Sequence, residues 1–488
     1  MPRRVLLVNS NTLRPPVAPI GLEYAAESLV SAGLPVRILD LVFQEDWRAA
    51  LKKTIGEEDP LVVGLTVRNT DDCSFATRRS FLPWIRDLVQ EVRHITDALI
   101  LLGGVGFSVM PEMVLRATGA DAGIFGDSEE TLPAVVKCLF GGEDIAPLPN
   151  LVYRRGEGLV RTHRMDAGLE HLPPHRRNLV DNRRYQEVGA QVGIETKRGC
   201  PNQCIFCADP VAKGSTVRLR PPTAVVEELS SLLAQGVSWF HTCDSEFNIP
   251  LGHAKDVCRA ISSSALRDRL SWYAYCAPVP FDHELATLMK RAGCAGINFG
   301  VDSLCDEQLG RLGRDHTVAD VEKLASILTG SGLNYMFDLL VGGPGETPDT
   351  VNRTLETARR LGVPLAGIAA GVRVYPGTAL GRTVARGSLG EGLHPEGKAD
   401  DDPLFYMSPA LGSDALQLVH DLIADDPRFL FLAAPSDEGS YNYADDDSLC
   451  RAIEDGARGA YWDIINRNRP ASPSIRTTGQ SNRTGAEG

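Results

Sequence analysis

The sequence predicts an α/β protein: an N-terminal doubly wound, Rossmann-like parallel sheet, a partial (β/α)6 barrel after it, and a small C-terminal α-rich extension. Two series of short apolar runs, and the break between them, carry that reading. In residues 1–145 the runs RVLLVNS, PVRILDL, LVVGLTV, ALILLGG and DAGIFGD are separated by helix-like stretches. Such alternation places parallel strands in one sheet with helices on both faces. In residues 191–388 a second series follows: VGIETKRG, WFHTCDSE, LSWYAYCA, GINFGVDS, NYMFDLLVGG and AGIAAGVRVY, with helical stretches such as TAVVEELSSLLAQG between them. Six strand–helix units describe a curved parallel sheet, whose functional groups gather at the carboxyl ends of the strands. Residues 146–190, with PLPN, HLPPHRR and NLVDNRRYQ, read as a linker. Residues 389–467 mix an acidic loop with two helical patterns and form the extension, and residues 468–488 lack apolar periodicity and read as a disordered tail.

Composition narrows the class. A chain of 488 residues exceeds one core and is 43% hydrophobic, so several buried cores are expected. Fifty Lys and Arg against 63 Asp and Glu give a formal charge of −13, which repels a polyphosphate and argues against a nucleic-acid partner. The opening MPRRVLLVNSN has too short an apolar run for a signal peptide, and no stretch approaches the roughly 18–20 apolar residues of a membrane span. A cytoplasmic protein without a membrane partner is expected. Eleven cysteines, an odd number without secretory features, argue against a disulfide framework. Cys138, Cys258 and Cys450 read as small core residues.

Ligands of a doubly wound sheet bind beyond the carboxyl ends of its strands, here the loops at residues 9–19, 68–72, 103–108 and 126–127. The glycines of LLGGVGFS let a backbone approach a large flat or phosphorylated ligand, or simply make a tight turn. No GxGxxG opens a helix after the first strand, which argues against a nicotinamide cofactor. The strongest local signal is ETKRGCPNQCIFCADP, with Cys200, Cys204 and Cys207 inside eight residues at the end of the barrel's first strand. Structural zinc takes four ligands, commonly from two CxxC pairs, and no second pair follows. Three thiolates at this spacing suit an iron–sulfur cubane, one of whose irons then stays open to a cofactor or substrate.

This CxxxCxxC, with Phe206 before its last cysteine, resembles the radical S-adenosylmethionine (SAM) superfamily over residues 191 to 385. Asp244-Ser245-Glu246 resembles the acidic motif that holds the methionine amino group. GINFGVDS, with Asp302 and Ser303, resembles the fourth-strand segment, LLVGGPGET the fifth, and RVYPGTAL, which begins at Arg373, the sixth. PPVAPIGLEYAAESL, VGLTVRNTDD and GGVGFSVMPEMVL resemble the cobalamin-binding domain fused to many of these enzymes. The resemblance implies a [4Fe-4S] cluster on Cys200, Cys204 and Cys207, and SAM contacts from Asp244, Glu246, Asp302, Ser303 and Arg373. It implies cobalamin contacts from Asn69, Thr70, Asp71, Gly103, Gly104, Gly106, Ser108 and Gly126. DxHxxG, which supplies a histidine to cobalt, is absent, so no lower histidine ligand is expected.

The implied chemistry is reductive cleavage of SAM to a 5′-deoxyadenosyl radical and cobalamin-dependent C-methylation of an unactivated carbon of a small metabolite. Radical dehydration, epimerisation or rearrangement of a sugar or aminoglycoside is the alternative. A structural or redox-sensing iron–sulfur protein is the reading from another class. The transfer-RNA methylthiolating relatives fit less well, because no basic module follows the barrel. Implied partners are a small-molecule substrate and an external electron donor such as flavodoxin or a reductase. Arg198 is expected beside the cluster and Lys197 in solvent, while Cys243, Cys276, Cys294 and Cys305 are expected in the core. Tyr441, Tyr443 and Trp462 are candidate pocket aromatics, and no catalytic residue is assigned.

Overall fold

The computed structural model describes residues 4–172, 175–395, 402–431 and 447–468. Tyr441, Tyr443 and the tail from 469 onward lie outside them. The first sheet contains β1 (Val5–Asn9), β2 (Val36–Asp40), β3 (Val62–Thr66), β4 (Leu99–Gly103), β5 (Ala122–Ile124), β6 (Leu151–Arg155) and β7 (Gly158–Arg161). Its order is β2-β1-β3-β4-β5-β6-β7, with the first five strands parallel. The strands β1 and β3 are apolar almost throughout because helices cover both faces. Alternate residues of β1 divide between those faces: Leu6 and Val8 pack with Ile85 and Leu88 of the helix Leu82–Ile95, Val5 and Leu7 with Leu22 and Leu29 of the helix Ile20–Ser31. The strand order reverses between β1 and β3, so the loops after them open into a crevice.

All five predicted strands of this domain are present, but the linker is shorter than the sequence reading placed it. Residues 151–161 form the hairpin β6–β7, which extends the sheet antiparallel to β5. Gly156 at φ +60 makes its turn, while the prolines just before it had made the segment look unstructured.

The second sheet holds β8 (Val192–Ile194), then, beyond the small antiparallel pair β9 (Lys197–Arg198) and β10 (Arg218–Leu219), β11 (Trp239–Thr242), β12 (Ser271–Cys276), β13 (Cys294–Asp302), β14 (Asn334–Val341) and β15 (Ala366–Ala370). A further three-stranded sheet comprises β16 (Val372–Arg373), β17 (Leu393–His394) and β18 (Phe405–Tyr406). The C-terminal extension is not only helical: β19 (Phe429–Phe431) pairs parallel with β15 and completes the order β19-β15-β14-β13-β12-β11-β8. Seven parallel strands thus form an open barrel with helices outside.

The remaining linker locks the two domains together. Arg177 is fully buried and donates to Glu23 at 2.7 Å, Glu228 at 2.5 Å and the Gly193 carbonyl at 3.0 Å. Glu23 comes from the first domain's helix Ile20–Ser31 and Glu228 from the barrel helix Pro222–Ala234. Glu228 also accepts from Arg220 at 2.6 Å and Tyr24 at 2.8 Å, and Glu27 from His175 at 2.7 Å. Glu23 and Glu228 face guanidinium groups and all three carboxylates accept hydrogen bonds, the condition under which buried charge is tolerated. The clamp turns the carboxyl ends of both sheets toward one another. Among the described residues no helix is long and apolar enough to cross a membrane.

Candidate functional site

A cavity of about 920 Å³ lies between the two sets of strand ends. That is near the upper end of the roughly 300–1,000 Å³ typical of small-molecule sites. Its wall combines Asn69, Gly103 and Gly126 of the first domain with Cys207, Asp244 and Asp302 of the barrel, and Tyr461 and Trp462 of the extension close it.

The cysteine loop starts with Gly199 at φ +88, where a Cβ would stand 2.1 Å from the Thr216 carbonyl oxygen, so only glycine makes this turn. Cys200 N–H donates to Gly214, Ile205 N–H to Leu312, and Leu380 N–H to Ile205, which ties the loop to three parts of the barrel. Burial raises all three thiols, and for Cys207 the neighbouring Cys204 and Cys200 add to it. Arg314 opposes the rise at Cys204, donating to its sulfur at 3.0 Å, and pairs with Asp302 at 3.1 Å. Three clustered thiols in a nearly dry pocket with one guanidinium against them suit a cluster that needs thiolates and carries negative charge. Among the described residues no three His, Cys, Asp or Glu side chains converge on one ion position.

The acidic residues separate into different tasks. Glu246 is held near the thiols with its carboxyl raised to about 8, chiefly by burial, while Arg314 and Lys197 pull it down. Its carboxylate has no hydrogen-bond partner among the described residues, and unlike Asp244 it stands behind the cavity wall. Asp244 lines the cavity, but its carboxylate already accepts from Thr196 N–H at 2.9 Å, Thr196 Oγ1 at 2.6 Å and Lys197 N–H at 3.2 Å. It therefore holds the strand that leads into the cysteine loop. Ser303 turns away from the cavity: its Oγ meets Thr354 Oγ1 at 3.0 Å and accepts from Cys305 N–H. Arg373 is committed too, donating to Asp71 at 2.8 Å and to the carbonyls of Val374 and Leu404.

On the first domain's side Asn69, Gly103, Gly104, Ser108 and Gly126 line the cavity, whereas Thr70, Asp71 and Gly106 stand behind it. Asp71 is the other half of the Arg373 pair and accepts from Thr70 at 2.8 Å, so these residues brace one domain against the other. The glycines also differ. A Cβ on Gly104, at φ +105, would lie 2.7 Å from the Val67 carbonyl oxygen, and one on Gly106 would lie 2.9 Å from it, so both serve the turn. A Cβ on Gly103 would meet nothing nearer than 4.0 Å and would project into open space. Gly104→Ala is therefore expected to cost about 2–4 kcal/mol of stability in denaturant unfolding. Gly103→Ala should leave the unfolding free energy within about 1 kcal/mol of wild type and weaken retention of cobalamin, read from corrin absorbance after gel filtration. A bare glycine floor in a cavity this large fits a flat macrocycle. His241, from the barrel, is the one histidine among the described lining residues.

Three further expectations are corrected. Lys197 is 1% exposed with its Nζ unpartnered among the described residues, because β9 pairs with β10 and turns it inward beside Cys200 and Glu246. Arg198 does not serve the cluster but bridges Asp127 at 3.2 Å, Glu129 at 2.5 Å and Glu195 at 2.9 Å. Cys243 lines the cavity, a neutral thiol pushed up to about 12 by burial, whereas Cys276, Cys294 and Cys305 are core residues as expected. Trp462 is both, 5% exposed in an aromatic cluster with Tyr273 and touching the cavity.

Sequence reasoning missed Tyr275, Asn298 and Asp338, all of which face the cavity, as does Arg68 of the candidate loop at 68–72. Arg68 forms no ion pair there among the described residues; its guanidinium donates to Asn69 Oδ1 at 3.0 Å. A signal was available for Asn298 and Asp338, since each interrupts an apolar strand, and a polar residue inside a buried strand must face a partner or a ligand.

Comparison with known proteins agrees with this geometry. Residues 194–358 match the model of the radical SAM superfamily and residues 7–136 that of the B12 binding domain. The tryptophan 2-C-methyltransferase of Streptomyces laurentii is 33% identical over 446 residues, covering 78% of this chain and 74% of that protein. The solved structure of the radical SAM methyltransferase TsrM from Kitasatospora setae, with cobalamin and a [4Fe-4S] cluster bound, superposes with a TM-score of 0.87 at 30% identity, covering 96% of this chain and 98% of that one. A second structure of TsrM, with tryptophan substrate and the SAM analogue aza-SAM, gives 0.86 at 31% identity over 95% and 97% of the two chains. The cobalamin-dependent enzyme OxsB, at 16% identity and a TM-score of 0.72 over 86% of this chain and 66% of that one, shares the fold.

Proposed function

Because the chain belongs to the radical SAM superfamily, in its cobalamin-dependent methyltransferase branch, we propose that it C-methylates a small aromatic amino acid of the tryptophan type. The observation that carries this reading is one cavity that joins Cys207 of the cysteine loop, the ends of β3 and β4, and an aromatic wall of Tyr275, Tyr461 and Trp462. The similarity to a tryptophan 2-C-methyltransferase over three quarters of both chains supports the substrate class.

Cys200, Cys204 and Cys207 would hold the [4Fe-4S] cluster, Glu246 the amino group of SAM, and Asn69, Gly103, Ser108 and Gly126 the corrin. When bound, these groups supply single electrons, a methyl donor and a cobalt that relays methyl. The protein's own residues supply placement and dryness. Arg314 spreads positive charge over Cys204 and Asp302. Ser108 Oγ, accepting from Gly126 N–H at 3.0 Å and donating to the Gly104 carbonyl at 2.8 Å, keeps two corrin-side loops together. The Arg373–Asp71 pair and the Arg177 junction hold both halves closed, which excludes water from reactive species. We place the enzyme in the cytoplasm, served by a flavodoxin-type or reductase electron donor.

The test is anaerobic reconstitution with iron, sulfide and cobalamin, followed by SAM, reductant and L-tryptophan. Mass spectrometry should find a carbon-methylated product and S-adenosylhomocysteine. Protein that carries both cofactors yet forms no S-adenosylhomocysteine would exclude methyl transfer.

A further inference from the structure

The barrel's inner wall carries a group of hydrogen-bond acceptors that the cofactors do not account for. Tyr275 on β12 stands opposite Asn298 on β13, and Asp338 on β14 is registered with Gly300, one inward-facing position further along β13. All three side chains line the cavity. Asn298 Nδ2 donates to Asp338 Oδ2 at 2.7 Å, which fixes the amide and leaves Asn298 Oδ1 buried with no partner among the described residues. No cation pairs with Asp338 among the described residues; the charged group that acts on it is Asp302, of the same sign. The Tyr275 ring, with His241 at 4.9 Å, is 42% exposed beside them.

A half-buried carboxylate with no cation among the described residues, next to a buried carbonyl oxygen with no donor among them, is costly in the empty protein. Burial accordingly raises the Asp338 carboxyl to about 7. What relieves both groups at once is a positively charged ligand with several N–H donors. A neutral heterocyclic N–H would satisfy one acceptor and leave the carboxylate's charge unpaired. Resting on the methyltransferase reading of the same cavity, we propose that Asp338 and Asn298 are the receptor for the ammonium group of an α-amino-acid substrate, with Tyr275 against its aromatic part.

The experiment uses the reconstituted full chain and reads binding by equilibrium dialysis with three probes: L-tryptophan, indole-3-propionate, which lacks the amino group, and 1-methyltryptophan, which lacks the ring N–H. Wild-type protein should bind tryptophan and 1-methyltryptophan within about threefold of one another and indole-3-propionate about 10- to 100-fold more weakly, the range of a hydrogen bond to a charged group. Asp338→Asn should weaken tryptophan by about the same factor and leave indole-3-propionate unchanged, with the corrin spectrum and melting temperature as in wild type. In turnover, the same variant should raise KM far more than it lowers kcat. Equal loss for tryptophan and indole-3-propionate, selective loss on methylating the ring nitrogen, or no tryptophan binding in wild type would each overturn the assignment. Binding without methylation would leave the receptor standing and count against the proposed reaction alone.

Discussion

Replacing Arg177 with methionine will lower the stability of the folded chain by about 3–5 kcal/mol, because it strips a buried cation from carboxylates that stay behind. Glu23 and Glu228 are each about 1% exposed, and neither reaches water when the guanidinium is gone. Arg220 still neutralises Glu228, but Glu23 would keep only neutral donors such as Asn182 Nδ2 at 3.0 Å. The loss should appear as a lower urea midpoint of the first unfolding transition, and as weaker retention of cobalamin, since the same residue joins the helix under the first domain to the barrel. Arg183→Met is the control: its pair with Glu187 is more than half exposed on both sides, and such a pair contributes less than about 1 kcal/mol. If Arg177→Met costs no more than this control, the junction is not what holds the halves together.

Alanine at any one of Cys200, Cys204 or Cys207 will bring methylation to background and remove the iron–sulfur absorbance from anaerobically reconstituted protein. The reason is geometric. In the proposed site one short loop would supply every protein ligand, and each thiol would serve a separate iron. Cys243 faces the cavity but belongs to the segment after β11, with its thiol held neutral by burial. Cys258→Ala gives the contrast: this thiol is fully buried in the outer core of the barrel, so the change should cost stability and leave the cluster intact. A Cys204→Ala protein that keeps a full complement of iron and its SAM-dependent spectrum would remove the proposed role of this loop.

The two halves of the site differ in how far the sequence reveals them. The cysteine loop is local: three thiols within eight residues, after a glycine whose turn admits no other residue, carry their geometry wherever the strand ends. The strand series is similarly legible, because parallel strands covered on both faces must be continuously apolar. Side-chain direction at the strand ends is another matter. Asp302 and Ser303 are neighbours, yet one pairs with Arg314 in the cavity and the other binds Thr354 behind it. The backbone at Asp302, with φ +61, decides which is which, and no pattern in GINFGVDS announces it.

By itself, then, the amino-acid order determined two α/β domains, the iron–sulfur loop and the family, since each rests on contacts or spacings within a few residues. Only the tertiary structure decided that Arg373 answers Asp71 across 302 positions of chain, that Lys197 is buried, and that Asp338 faces the cavity with no cation among the described residues. Those outcomes depend on which distant charge arrives opposite each group when water is excluded. That pairing is a property of the packed domains and not of any segment.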